Sequence, residues 1–289
     1  MNPGQITTRK AVQTLGFLTL RLCLALVLGA LVLFLYDIIR KGAGAVSWEF
    51  VSQAPRRGMT EGGIFPAIFG TFLVTCVTAL LAIPLGMCAA VYLNEYARQT
   101  RLTRLIRLSI RNLSGVPSIV YGLFGVILFV NILKFGTSIL SAGLTLGLIT
   151  LPWTITASEE ALKTVPDSYR EGALALGATK WQSIRTNVLP YALPGMLTGT
   201  ILGLARAAGE TAPIMFTGAA FSIPFLPRSL RDQFMALPYH LYIMATQHHD
   251  IAKVRPLAYG TALILILFVL GMNMTAIILR SRIRRKRTF

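Results

Sequence analysis

Two opposite charges stand four residues apart inside an apolar run. They are Arg206 and Glu210, in Arg206-Ala207-Ala208-Gly209-Glu210-Thr211-Ala212-Pro213. On a helix, residues i and i+4 are neighbours. Ionised side chains within an apolar span are costly, so they point to a bundle interior or a water-filled cavity. A guanidinium grips two oxygens of an oxyanion at once, which an ammonium does not. The pair has two readings. Arg206 is a cation on an anion path, with Glu210 orienting it and keeping the anion from binding too tightly. Alternatively, the two charges form an ion pair that locks two helices together.

Other groups with chemical potential carry less. Gly172 and Gly177 have the spacing of a phosphate-binding loop, with Lys180 nearby, but that loop needs Gly-Lys-Ser/Thr after a strand. Gly177 is followed here by Ala178 and Thr179. No nucleotide site, and no cofactor, is expected in this chain; if ATP drives its work, another subunit binds it. His240, His248 and His249 have Asp250 as their near carboxylate. This is a poor ligand set for a metal, and they read as polar loop residues. No Ser-His-Asp or Cys-His set emerges, so no covalent chemistry is expected. Cys23, Cys76 and Cys88 lie inside apolar runs and read as small core residues, not a disulfide framework.

The elements that position these groups follow from composition. The chain has 289 residues, 54% hydrophobic and only 13% charged. A soluble domain carries about 25% charged residues. A disordered chain and an ordinary soluble enzyme are thereby set aside in favour of an integral membrane protein. Six segments approach the roughly 20 apolar residues that a spanning helix needs: 15–39, 65–93, 116–135, 139–157, 193–220 and 257–279. Alternating barrel strands are absent. Pro84 predicts a kink in the second span. The first is too long for a signal core, and Asp37, Arg40 and Lys41 separate it from Ala43-Gly44-Ala45, so it reads as an uncleaved span. Arg21, near its start, snorkels to the headgroups.

The net charge is +17, from 28 Lys+Arg against 11 Asp+Glu. Arg9 and Lys10, the arginines at 98, 101, 104, 107 and 111, the basic residues of 163–185 and those of 280–287 all fall on one side of the six spans. That richer side is cytoplasmic, with both termini inside. The basic tail reads as an anchor on anionic membrane lipid, with no nucleic acid as partner. Arg98, Arg101, Arg104, Arg107 and Arg111 alternate with Leu102, Leu105, Ile106 and Leu108, which predicts an amphipathic helix at the cytoplasmic interface. The fold expected is all-α and integral to the membrane, with six transmembrane helices. Residues 1–64 hold the N-terminal tail, the first helix and an outer loop. Residues 65–280 form the transmembrane domain, and 281–289 the basic tail.

In the fifth span Gly195, Gly199, Gly203 and Ala207 recur at every fourth position. With about 3.6 residues per turn, Arg206 and Glu210 share their face. Such a stripe lets a helix of the bundle, or of a partner subunit, approach closely. At about 1.5 Å per residue Arg206 sits about 20 Å beyond Leu193, past the midplane toward the outside.

The segment 159–190 has its own pattern. Pro166 precedes Asp167 and Ser168, good N-cap residues for a short helix that Gly177 ends as a left-handed C-cap. A second short helix is expected over 179–188, before Pro190. Two helices meeting at a glycine make a knob that suits a groove on a soluble partner.

Glu171-Gly172-Ala173, three residues, Gly177, nine residues, then Asn187-Val188-Leu189-Pro190 resembles the EAA loop of ABC-importer permeases. Gly172 stands where that loop has alanine and Asn187 where it has isoleucine; the glycine turn and the closing Leu189-Pro190 are kept. The resemblance implies the MetI-like permease fold. It also implies a coupling helix, marked by Glu171, Gly172, Ala173, Gly177, Leu189 and Pro190, that inserts into a cytoplasmic ATPase subunit. Tyr92-Leu93-Asn94-Glu95-Tyr96, residues 115–123, residues 206–213 and Phe234-Met235-Ala236-Leu237-Pro238 extend the likeness over 65–280. Together they are similar to phosphate-specific permeases, more of the PstA than the PstC kind. Such a permease is implied to pair with a PstC-like sister permease and a PstB-like ATPase dimer that binds ATP-Mg. A PstS-like extracytoplasmic phosphate-binding protein would deliver substrate at the inner membrane. A sulfate or molybdate importer and a phosphate-sensing signalling subunit are the other readings. On this reading the outer loop 221–255, with Phe225, Phe234, Tyr239 and Tyr242, lies flat at the outer interface under the binding protein, alongside Arg228 and Arg231.

Overall fold

The computed structural model describes residues 3–223 and 225–285; Lys286 and Arg287 of the basic tail lie outside the described residues. In chain order the helices are α1 (Pro3–Gly42), α2 (Trp48–Ser52), α3 (Phe65–Val91), α4 (Arg101–Leu113), α5 (Ser118–Gly125), α6 (Ile139–Lys163) and α7 (Asp167–Ala175). They continue as α8 (Lys180–Ser183), α9 (Leu189–Ala207), α10 (Ala212–Thr217), α11 (Leu237–Thr246) and α12 (Ile251–Arg285). A small antiparallel hairpin of β1 (Pro55–Arg56) and β2 (Glu61–Gly62) lies between α2 and α3, with Pro55 opposite Gly62.

Among the described residues, five helical stretches are long and apolar enough to cross a bilayer: Val12–Ala45, Phe65–Tyr96, Ile139–Lys163, Lys180–Ala207 and Ile251–Arg282. The sixth is a bent pair, Arg101–Leu113 and Ser118–Ile132, turning through 100°. Gly115 and Pro117 sit at the corner, where Gly115 donates to the Asn112 carbonyl and Val116 to that of Leu113. The Ser118–Ile132 limb is about 22 Å long at about 1.5 Å per residue. That is shorter than both the expected 116–135 and a hydrocarbon core of about 30 Å. The helix of α3 runs on through Pro84.

The centre of the bundle is α6, packed against α3, α9, α5 and α10. Its buried side mixes small and hydroxylic residues (Ser141, Ala142, Gly143, Thr145, Gly147, Thr150, Thr154 and Ser158) with the larger Ile139, Leu146, Ile149, Ile155 and Leu162. Thr145 and Thr150 donate to the carbonyls of Ser141 and Leu146, four residues back, which satisfies buried hydroxyls within the helix. Many large side chains also point outward: Leu20, Leu26 and Phe34 on α1, and Leu80 on α3, are exposed. Small residues inside and apolar ones outside suit lipid, where association rests on close packing and not on expulsion of water. Cys23 and Cys88 are exposed on such outer faces and Cys76 is half-buried, so the reading of all three as core residues is corrected.

Three further element boundaries differ from expectation. The expected span 139–157 runs on to Lys163, so Glu159 lies in the last turns of α6 and not in a loop. The expected span 193–220 breaks. Helix α9 ends at Ala207; Gly209 and Glu210 close a tight last turn onto the carbonyls of Arg206 and Ala207; and α10 begins at Ala212. Gly209 disfavours helix and Pro213 has no N–H to continue the ladder, which explains the break. At the other end, no break precedes Pro190. A π-helical turn, Ile184–Val188, joins α8 to α9, giving one helical stretch Lys180–Ala207. The wider turn accommodates the missing proline N–H.

Candidate translocation and coupling site

The small-residue stripe of α9 faces α6. A Cβ on Gly195 would lie 2.9 Å from the Ala161 Cβ, one on Gly199 would collide with the Ala157 Cβ, and one on Gly203 would lie 3.2 Å from the Thr150 Cγ2. The partner positions descend as the glycines ascend, so the two helices run antiparallel in near-backbone contact. This interface lies within the chain.

Arg206 ends that helix. Its side chain is 52% exposed, and its guanidinium carbon lies 5.3 Å over the Trp153 ring of α6. Glu210, 16% exposed, lies beyond the helix end, so the two are not on one continuous helical face. Their closest approach, Arg206 Nε to Glu210 Oε1, is 3.7 Å, a charge contact too long for a hydrogen bond. Glu210 biases the guanidinium without occupying it. Arg206 therefore presents a charge on an open face of the chain, between a ring that holds it and a carboxylate that stands off.

The loop after α6 is a knob. Helix α7 starts behind Pro166, which takes the N-cap position expected for Asp167 or Ser168. Gly177 has φ +83°. Its N–H bonds to the Leu174 carbonyl, and that of Ala178 to the Ala173 carbonyl, the double closure that a left-handed glycine permits. Thr179 and Gln182 form a reciprocal capping box that starts α8. Glu171, Gly172 and Gly177 are exposed, Ala173, Leu189 and Pro190 partly buried. Open space surrounds Gly172, so nothing in the chain forbids the alanine usual at that place. Leu174, Trp181 and above all Leu176, 91% exposed, carry apolar surface into solvent at the knob. Such a patch rimmed by polar residues marks a protein contact.

Sequence reasoning missed two ion pairs at the base of this knob. Arg170 of α7 meets Glu95, with Nη2 to Oε1 at 2.8 Å and Nε to Oε2 at 3.2 Å. Hydrogen bonding to Glu95 raises the Arg170 pKa above its ordinary value, so its charge is fixed. Arg107 of α4 donates from Nε to Glu159 Oε1 of α6 at 2.8 Å. Its Nη1 reaches Gln99 Oε1 at 2.9 Å and its Nη2 the Leu93 carbonyl at 2.7 Å. Arg107 is thus a tie between elements, whereas Arg101, Arg104 and Arg111 on the same helix are exposed. With only 11 acidic residues in the chain, a carboxylate at the end of an apolar span was the available signal. A cleft of about 790 Å³ opens beside Glu95, Arg170 and Lys180.

The segment expected as an outer loop folds inward instead of lying flat. Phe234 is fully buried and its backbone pairs with Ala219 and Ala220. Leu237 N–H donates to Thr71 Oγ1 of α3 at 2.8 Å. Tyr239 is half-buried, and Phe225, Tyr242, Arg228 and Arg231 are exposed. His240 and His248 are buried, contrary to a reading as polar loop residues. His240 is 2% exposed, and burial lowers its pKa to about 4. His248 Nε2 contacts the Gly58 carbonyl at 2.6 Å, and its Nδ1 accepts from Asp250 N–H. His248 thus ties this segment to the turn of the β1–β2 hairpin. Among the described residues no three metal-capable side chains converge.

Known proteins place this architecture. A probable ABC transporter permease, YqgI of Bacillus subtilis, is 34% identical over 280 residues, 92% of this chain and 94% of that protein. The phosphate transport system permease protein PstA 1 of Mycobacterium tuberculosis is 36% identical over 262 residues, 89% of this chain and 84% of that one. The inward-facing MetNI methionine ABC transporter superposes with a TM-score of 0.58 at 18% identity, over 76% of this chain and 94% of that one, a likeness of fold. Residues 82–288 match the family described as binding-protein-dependent transport system inner membrane component, and the chain belongs to that family.

Proposed function

We propose that this chain is the PstA-type permease subunit of an ATP-driven phosphate importer. The observation that carries the reading is the pairing, in one helical stretch, of a solvent-facing EAA knob at one end with the half-exposed Arg206 at the other. Relatives named as phosphate permeases, 36% identical over most of the chain, support the choice of anion. From Leu189 to Arg206 the helix climbs about 25 Å at about 1.5 Å per residue, which carries Arg206 past the midplane.

Phosphate at neutral pH is a mono- or dianion, and the Arg206 guanidinium offers it two parallel N–H donors. Glu210 repels it at close range, so binding is favourable without being a trap. Transport needs no covalent step, and this subunit makes none. ATP is bound and hydrolysed by a partner ATPase dimer whose grooves take the apolar knob. A sister permease completes the path, and an extracytoplasmic binding protein delivers phosphate from the outer face. Closing of the ATPases on ATP rocks the helices and exposes the path outward. The basic clusters put both termini in the cytoplasm.

The test is Arg206→Gln. Phosphate uptake is expected to be lost while the subunits assemble in the membrane at normal levels. Loss of assembly would make Arg206 a structural residue and remove it from the path.

A further inference from the structure

The four-residue meeting at the base of the knob has a mechanical consequence. Where α3 ends, the π-helical turn Tyr92–Tyr96 adds one residue per turn, closed by the Ala97 N–H on the Tyr92 carbonyl at 2.9 Å. That turn is gripped from two sides. Arg107 of α4 holds the Leu93 carbonyl and, through Glu159, the end of α6. Arg170 of α7 holds both Glu95 oxygens. Arg170 also donates to the Val165 carbonyl at 2.8 Å and the Leu162 carbonyl at 3.1 Å, capping the C-terminal end of α6. Asn94 Nδ2 donates to Glu95 Oε1 at 2.8 Å. The Glu95 and Glu159 side chains are 5% and 6% exposed, so water competes little for either.

The backbone joins α7 to α6 on one side and to α9 on the other, but not to α3. Helix α3 packs along α6, and its C-terminal turn meets the knob through side chains: Glu95 on Arg170, and the Tyr96 ring under the Lys180 ammonium at 5.0 Å. A partner that displaced the knob would move α6 and α9 by covalent connection; α3 follows by its packing on α6 and, at its C-terminal end, because Glu95 is tied to Arg170. We propose that the Tyr92–Tyr96 turn is the joint through which the coupling loop moves α3, with Glu95 and Arg170 as its positioning residues. This rests on the reading of the knob as an ATPase-coupling loop.

Two measurements on the full complex test it. In phospholipid vesicles, phosphate taken up is measured per ATP hydrolysed, with the complex quantified in each preparation. For Glu95→Gln this ratio is expected to fall about tenfold, the size of an ordinary coupling between sites, with ATP hydrolysis kept within about twofold. A merely structural role would lower uptake and hydrolysis together, leaving the ratio unchanged, and that result overturns the proposal. The second measurement uses spin labels at Ser168→Cys on α7 and Leu80→Cys on α3, with Cys23, Cys76 and Cys88 replaced by serine. Their separation is expected to stay constant between the nucleotide-free and ATP-bound complex in the intact chain, and to change on ATP binding in Glu95→Gln, where the tie is cut. A separation that changes in the intact chain, or one that stays constant in an assembled Glu95→Gln complex, overturns the joint, whichever anion is carried. An intact complex that hydrolyses ATP but moves no phosphate would instead sink the phosphate assignment and leave the label distance to decide the joint.

Discussion

One methyl group added at Gly199 tests how closely α6 and α9 are joined. The new Cβ would collide with the Ala157 Cβ and lie 3.4 Å from the Ala157 Cα. Neither atom has a rotamer to move into, so relief requires the helices to part. Overpacking of this kind costs about 1–3 kcal/mol. Alanine in place of helical glycine returns up to about 1 kcal/mol. The expected net effect of Gly199→Ala is a destabilisation of up to about 2 kcal/mol. Gly29 on α1 has nothing within 4 Å, so Gly29→Ala collects the propensity term alone and is neutral or stabilising. The two variants should differ by about 1–3 kcal/mol, or about 2–6 °C in midpoint for a chain of this size. Thermal unfolding of the complex in lipid nanodiscs reads that gap. Ala157→Gly in the Gly199→Ala background should recover most of the loss, since it removes the colliding atom. Equal midpoints for the two glycine variants, or no recovery by Ala157→Gly, would refute the contact as the cause.

Further expectations follow from the ion pairs and the buried histidine. Glu159→Ala leaves Arg107 without its carboxylate while Gln99 and Leu93 still hold it. A loss of about 2–3 kcal/mol is expected, less than for a fully enclosed pair, and a double-mutant cycle with Arg107→Met should recover part of it. His240 is neutral in the folded chain, its pKa lowered to about 4 by burial. The unfolded chain takes up that proton below about pH 6.5, so stability should fall as pH drops from about 6.5 toward 4, by at most about 3 kcal/mol. Unfolding midpoints across that range should flatten in His240→Leu. Arg206→Lys keeps the charge but not the fork; phosphate uptake should persist with KM raised about tenfold.

Much of this architecture was legible in the chain because apolar length is a direct requirement of the bilayer. The fourfold repeat of Gly195, Gly199 and Gly203 marked a close helix contact because period and face are geometrically linked. Boundaries were less legible. Apolarity continues from Ala207 to Ala220, but hydrogen bonding does not, and Gly209 with Pro213 ends the helix where hydropathy sees no change. Phe234 and His240 lie in a segment whose aromatic residues suggested a loop flat at the interface, yet pairing with Ala219, Ala220 and Thr71 draws it inward. The charge bridges were hidden for another reason. Arg170 and Glu95 are 75 residues apart, and Arg107 and Glu159 are 52 apart, and nothing local pairs them. At the candidate path, Arg206 and Glu210 were marked by charge in an apolar run, while the helix end between them was not.

The most direct measurement is uptake of radiolabelled phosphate at low external phosphate in cells lacking this gene, with the gene restored intact or as Arg206→Gln, and with subunit levels checked in the membrane. Restoration by the intact gene, and none by a normally assembled Arg206→Gln, is the expected result. Failure of the intact gene to restore phosphate uptake, together with a defect in sulfate or molybdate uptake, would keep the permease fold and contradict phosphate as its cargo.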